Sequence, residues 1–192
     1  MRTADGRSGQ HGRRLQLARL VAESGYHVVV QDVRGRHDSE GHFVPGENEL
    51  RDGSRCLEWV AAQAWCDGRI GLLGNGYAGF AAWAALAGAP NAVGALAVSA
   101  CARDLYKLIH PGGSLAFEAA LSFAVHIGER ARVPARDVDL ERGLAFRPAR
   151  EADRVALRQV DWYRDWLDHP RRDAYWDAIV PPLPEHAPPI LQ

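Results

Sequence analysis

Arg69-Ile-Gly-Leu-Leu-Gly-Asn-Gly-Tyr-Ala-Gly79 is the stretch that decides how this chain folds. A short apolar run, Ile70 to Leu73, breaks into a glycine-rich turn, and an alanine-rich helical stretch from Tyr77 to Ala89 follows. Strand, tight turn and helix in that order put the turn at the carboxyl end of a parallel strand, where ligands and catalysis sit in open α/β sheets. Two chemistries use such a turn. One is a dinucleotide cradle, Gly74-x-Gly76-x-x-Gly79, which would hold NAD(P) for an oxidoreductase. The other is a nucleophile elbow whose serine has become Gly76.

Working outward, the helix that leads into this strand is Glu49 to Gln63, with Leu50, Leu57, Val60 and Ala61 at helical spacing. Before it, His27-Val-Val-Val-Gln-Asp32 reads as a strand buried on both faces, and Arg34 to Gly46 as a long polar loop. Leu15, Ala18, Val21 and Ala22 mark an amphipathic helix from His11 to Ser24, ended by Gly25, and Met1 to Gln10 reads as loop. Downstream, Gly94 to Ser99 is a third short strand. Helix alternating with strand argues a parallel, right-handed α/β arrangement. After Ala102 the pattern changes to helices alone, Ser114 to Arg132 and Asp153 to Leu167 among them. Pro181-Pro182, Pro184 and Pro188-Pro189 form a stiff linker into a last apolar pair, Ile190-Leu191.

The 192 residues suit one domain with a sizeable core, and 47% hydrophobic with 24% charged residues is ordinary for a soluble protein. A net charge of -1 gives no reason to expect nucleic acid or an anionic membrane as partner. Cys56, Cys66 and Cys101 lack C-x-x-C spacing, which fits a reduced compartment and no metal site. No apolar leader follows Met1 and no run reaches membrane-spanning length, so a soluble, cytoplasmic chain is expected. No cofactor is called for unless the cradle reading holds.

The flanks separate cradle from elbow. An NAD site wants an acidic residue closing the next strand, but that strand ends Val98-Ser99-Ala100 and Asp104 comes too late. In contrast, Asp32-Val-Arg34-Gly35-Arg36 with Ser39-Glu40-Gly41, Glu58-Trp59, and Trp65-x-Asp67-Gly68-Arg69-x-Gly71 form a recognisable set. So do Asp104-Leu-Tyr106, His110-Pro-Gly-Gly113, His169-Pro170, Asp173-Ala-Tyr-Trp176 and Pro189-Ile-Leu191. In this order they resemble the cocaine-esterase-like (CocE/NonD) and X-prolyl dipeptidyl-peptidase serine hydrolases. The resemblance implies an α/β-hydrolase fold with a helical cap, and cleavage of ester or amide bonds through an acyl-enzyme. It divides the chain into a partial hydrolase core over 1–102, a cap over 103–187 and the start of a further core strand over 188–192.

The departures from that family bear on activity. Its elbow carries serine where this chain has Gly76, so no Oγ is available to attack. Its Arg-Thr-Pro-Tyr motif, whose tyrosine hydroxyl helps bind the oxyanion, corresponds here to Arg2-Thr3-Ala4-Asp5, which sets a carboxylate where negative charge would develop. The backbone N–H of Tyr77 is the donor that remains. The family's aspartate and histidine lie past the strand that opens at Ile190. These residues are expected to form a catalytically inactive, truncated hydrolase, with small ester or peptide substrates belonging to the ancestral form alone.

Other candidates have structural explanations. Cys101 follows a strand and reads as a small buried thiol. His27, His37 and the other histidines show no paired metal spacing. Asp32, Arg34, Arg36 and Glu40 brace the loop after the strand. Trp59, Trp65 and Trp83 are expected in the core, while Trp162, Trp166, Tyr175 and Trp176 either line an acyl pocket or pack helices. The family's strand order adds a constraint. The strand leading into the oxyanion loop should lie between the strands at His27–Asp32 and Arg69–Leu73, and it is missing here. Each unmatched backbone group costs about 1–3 kcal/mol against a total stability of about 5–15 kcal/mol. A late start, a remnant that folds poorly, or a protein partner donating the strand would each account for the gap, and a non-catalytic binding module is the reading that the last implies.

Overall fold

The computed structural model describes residues 1–8, 13–183 and 187–191. Gly9 to Gly12, Pro184 to His186 and Gln192, on which parts of the expected loop, first helix, cap and proline linker fall, lie outside the described residues. Among the described residues five strands alternate with helices, and every pairing among them is parallel. They are β1 (Arg2–Thr3), β2 (Gln31–Asp32), β3 (Ile70–Asn75), β4 (Val93–Ser99) and β5 (Ile190–Leu191). The strands form two separate sheets, β1-β2 and β3-β4-β5. The fold is α/β, with helices flanking a parallel sheet.

The first three helices are α1 (Arg13–Glu23), α2 (Glu49–Ala61) and α3 (Tyr77–Gly88). Gly25, at φ 89°, ends the first of these, as its position predicts. Helix α3 is apolar all round, with Ala78 to Leu86 buried without interruption. It lies between the sheet, α2 and the helices that follow. Two glycines set the α2–α3 approach. A Cβ on Gly53 would stand 2.7 Å from Cα of Ala85, and one on Gly88 would stand 2.9 Å from the Leu50 carbonyl oxygen. Only a hydrogen fits at either contact. Leu57, Trp83, Leu86, Leu96 and Val98 fill the layer between helices and sheet.

Residues 103–183 contribute helices and no strand among the described residues. They are α4 (Leu105–Ile109), α5 (Phe117–Ile127), α6 (Leu140–Ala145), α7 (Ala152–Ala156), α8 (Asp161–Asp168) and α9 (Ala174–Ile179). Their core is aromatic. Trp166, Trp176 and Tyr163 are fully buried, with Trp162 beside them. Phe80 of α3 joins the same cluster, so these helices are seated on the elbow helix.

Several expectations change. Met1 to Gln10 is not all loop, because Arg2–Thr3 pairs with Gln31–Asp32. The strand expected over His27–Asp32 is ladder-bonded only at Gln31–Asp32, since β1 gives it a neighbour for two residues alone. The single helix expected over Asp153–Leu167 breaks in two. The buried Asp153 carboxylate accepts from the Val160 amide at 2.7 Å and so stabilises the turn between α7 and α8. Trp83 is buried, but Trp59 and Trp65 are 55% and 39% exposed and meet edge to face at the surface, their rings 6.3 Å apart.

Substituting Gly53→Ala should force α2 and α3 apart and lower stability by about 1–3 kcal/mol in a urea melt. An unchanged midpoint would show that the two helices separate freely at this contact.

Candidate active site at the strand–helix elbow

The turn after β3 is built by its own glycines. Gly76 has φ 57° and ψ -127°, a conformation that side chains other than glycine's adopt only under strain. Its amide donates to the Ser99 carbonyl of β4 at 3.0 Å, which prolongs the ladder beyond Asn75. Its carbonyl accepts from Gly79 at 3.0 Å and Phe80 at 3.2 Å, starting α3. A Cβ on Gly74 would lie 2.2 Å from the Ala78 carbonyl oxygen, and one on Gly79 would lie 2.6 Å from Cys101 Sγ. Both glycines are therefore required by contacts inside the protein, and their spacing needs no nucleotide to explain it. At Gly76 the reverse holds. A Cβ there meets nothing within 4 Å, so a side chain at this position would project into open space.

Tyr77 opens α3, and its N–H has no carbonyl four residues back within the helix. Its side chain turns into a buried polar knot. The hydroxyl donates to Glu49 Oε1 at 2.5 Å and accepts from the Gly46 amide at 3.1 Å. Glu49 is buried at the start of α2, its Oε2 accepting from the Asn48 amide at 3.2 Å, while Arg2 Nη1 donates to its carbonyl at 3.0 Å. Burial pushes the Glu49 carboxyl above its ordinary 4.5, with Tyr77 and Arg2 opposing the rise. Burial, together with the neighbouring Glu49, also holds the Tyr77 phenol well above 10.0, so the hydroxyl remains a donor.

Asp5 Oδ1 accepts from Arg132 Nη1 at 2.8 Å, with the Asp5 side chain only 16% exposed. Beside it, buried Arg36 donates from Nε to the Ala4 carbonyl at 2.7 Å and from Nη1 to the Ile127 carbonyl at 2.6 Å. Burial lowers this guanidinium to about 10, with Asp5 the main opposing charge. Both arginines tie the segment after β1 to the C-terminal end of α5. The rest of the expected bracing set divides its work. Arg34 grips Asp52 with two bonds of 2.8 Å, and Asp32 accepts from the Arg7 amide at 2.6 Å.

Cys101 packs against the first turn of α3, and burial raises its thiol, which opposes thiolate chemistry. His27 packs on Trp65 with ring centroids 4.9 Å apart, and His37 lies against Gly6. Among the described residues no group of three His, Cys, Asp or Glu side chains could hold a metal ion. No described helix is long and apolar enough to cross a membrane. Trp162, Trp166 and Trp176 are 5%, 1% and 0% exposed, so they are helix-packing residues, as one of the two sequence readings holds. Sequence reasoning missed the Glu49–Tyr77 bond, because nothing in the spacing of residues 28 positions apart signals it.

A parallel sheet with a tight glycine turn at its carboxyl edge, overlaid by a block of helices, defines the class as α/β proteins of hydrolase type. The family follows from comparison with known sequences. The profile described as X-Pro dipeptidyl-peptidase (S15 family) matches residues 2–185. This chain belongs to that family, within its CocE/NonD branch. It is 34% identical to the cocaine esterase of Rhodococcus sp. (strain MB1 Bresler), over 81% of this chain and 30% of that protein. An aminopeptidase from a marine sediment archaeon, Thaumarchaeota archaeon, has the same fold over 93% of this chain, with TM-score 0.71 and 19% identity. The 192 residues span about a third of that chain, 34%.

The Glu49 carboxyl supplies a pH test. Its folded-state value is raised, so its contribution to stability is full below 4.5 and lost as pH rises through the folded value. Stability of the wild-type protein should therefore fall across that window, and Glu49→Gln should flatten the fall. Melting temperatures measured from pH 4 to 8 check this. Parallel profiles for the two proteins would show that Glu49 is not the titrating group.

Proposed function

We propose that these residues form the elbow-bearing core and cap of a CocE/NonD-type serine hydrolase in which acyl transfer no longer takes place. Gly76 stands at the nucleophile position, Asp5 at the position of the oxyanion-binding hydroxyl, and the Tyr77 N–H is the donor retained. The observation that carries the reading is the backbone of Gly76, at φ 57° and ψ -127° between β3 and α3, with open space where a side chain would point. That is the strained strand-to-helix geometry that exposes a nucleophile in this fold class. The ancestral substrates are esters or X-Pro-type amides, in line with the relatives' names, and the ancestral intermediate is an acyl-enzyme.

The chemistry fails at two points in this reading. Gly76 offers no oxygen to acylate. Asp5, bonded to Arg132, sets a carboxylate beside the developing oxyanion and raises the barrier. Among the described residues the histidine bonded to a carboxylate is His169, 2.6 Å from Asp173. That ring stacks on Tyr175 at 4.5 Å, and Asp173 caps α9 through the Tyr175 amide, so the pair serves a helix terminus. The unpaired state of Cys56, Cys66 and Cys101 supports placing the chain in the reducing cytoplasm.

The purified 192-residue chain should hydrolyse p-nitrophenyl acetate and Gly-Pro-p-nitroanilide no faster than buffer. Gly76→Ser should leave that result unchanged while lowering stability by about 1–3 kcal/mol, because serine inherits the positive φ. A burst of nitrophenolate, or steady turnover, from the serine variant would mean that a working base stands beside the elbow.

A further inference from the structure

The elbow glycine follows an asparagine. The chain has three asparagines, Asn48, Asn75 and Asn91, and Asn75 alone is followed by glycine. Asparagine is a thermolabile side chain because the next backbone nitrogen can attack its carboxamide. That ring closure is easiest before glycine, where no Cβ stands in the way and the backbone turns freely. Asn75 is the last residue of β3 and is exposed. A Cβ on Gly76 would meet nothing within 4 Å, so the space beside this peptide is open.

Both groups that would react are held by one residue. The Gly76 amide donates to the Ser99 carbonyl at 3.0 Å, and Asn75 Nδ2 donates to Ser99 Oγ at 3.0 Å. Ser99 is itself exposed and is the last residue of β4. Ala100, next to it, has φ 46°, a left-handed backbone that alanine adopts only under strain and that opening would relax. The clamp thus lies at the end of a ladder and beside a strained residue, where local opening costs least. While it is shut, the Gly76 N–H and the Asn75 carboxamide both stay with Ser99.

We propose that Asn75-Gly76 is a self-modification site, converting to aspartate and isoaspartate when the Ser99 clamp opens. The Gly76 nitrogen gives its proton to hydroxide and attacks Cγ of Asn75. The N–Cγ bond forms as Cγ–Nδ2 breaks, and ammonia leaves with a proton taken from water. Water then opens the cyclic imide at either carbonyl, so water is the only co-reactant. One opening gives aspartate, whose carboxylate stands just before the N-terminus of α3, where negative charge is favoured. The other gives isoaspartate, which lengthens the backbone between β3 and α3 by a methylene. The elbow has no slack for that, since a Cβ on Gly74 would already lie 2.2 Å from the Ala78 carbonyl oxygen. Isoaspartate at this point therefore displaces α3.

The test incubates the folded 192-residue chain at mildly alkaline pH and follows each asparagine by peptide mass mapping. The signals are the mass gained when an amide becomes an acid and the enzymatic methylation of isoaspartate. Asn75 should convert at least ~10-fold faster than Asn48 and Asn91 in the same sample. Ser99→Ala should speed conversion at Asn75 by ~2- to 10-fold, the worth of one hydrogen bond, with Asn48 and Asn91 unchanged. Asn75→Gln leaves the elbow backbone as it is and should abolish the signal there, because the larger ring closes far more slowly. Conversion of Asn75 no faster than that of the other two asparagines overturns the site, as does an undiminished signal in Asn75→Gln. A Ser99→Ala rate equal to or below the wild-type rate overturns the clamp. No readout involves ester or amide substrates, so the result stands apart from the turnover test at Gly76.

Discussion

The turn at Gly74–Gly79 and the helix it launches set the position of everything else, because α3 has no side facing water. One face meets β3 and β4 through Leu86, Leu96 and Val98, and another meets α2 at Gly53. The helix is made almost entirely of alanine, glycine and aromatic residues, which suits an element that three layers must approach closely. Phe80 passes into the aromatic cluster of the helices after β4, so the same helix organises the sheet layer and that helical block. A displacement of a few tenths of an ångström in α3 would be felt in all of them, which is why the close approach of Ala78 to Gly74 matters beyond the turn.

A second constraint is electrostatic and joins segments far apart in sequence. Arg36 spans from the Ala4 carbonyl to the Ile127 carbonyl, and Arg132 reaches Asp5. Arg36 donates to these two carbonyls and lies over the Phe43 ring at 5.5 Å, so its buried charge is met by dipoles and a π face. Removing one partner of such a buried charge costs more than the pair's net worth, since the survivor remains desolvated. The loop after β2 is thereby fixed to two other segments, and Val33 and Phe43 add apolar packing of its own.

What could be read in the sequence was local. The strand–turn–helix at Ile70–Gly88 and the end of α1 at Gly25 follow from periodicity and from glycine's access to positive φ. What could not be read depends on partners distant in the chain. His27–Val30 has the β-branched composition of a strand, yet strands exist by pairing and β1 supplies only two residues. Trp59 and Trp65 have the composition of a core and lie at the surface, because burial is a property of what comes to cover them. The Asp153–Val160 bond that splits one helical pattern competes locally with the helix, and nothing in apolar spacing reports it. At the elbow, the turn at Gly76 and the helix start at Tyr77 were legible from the glycine spacing, whereas the Asp5–Arg132 pair, 127 residues apart, was not.

That pair bears on how a scaffold can outlast its reaction. A serine at the elbow stores strain that only catalysis makes worth keeping, and glycine releases it with β3 and α3 left in place. In the proposed reading Asp5 is a different case: it would oppose negative charge in a transition state, while against Arg132 it ties the segment after β1 to the stretch that follows α5. In that reading the first change removes a cost and the second converts a binding group into a structural tie, and both would favour the folded state over the chemistry.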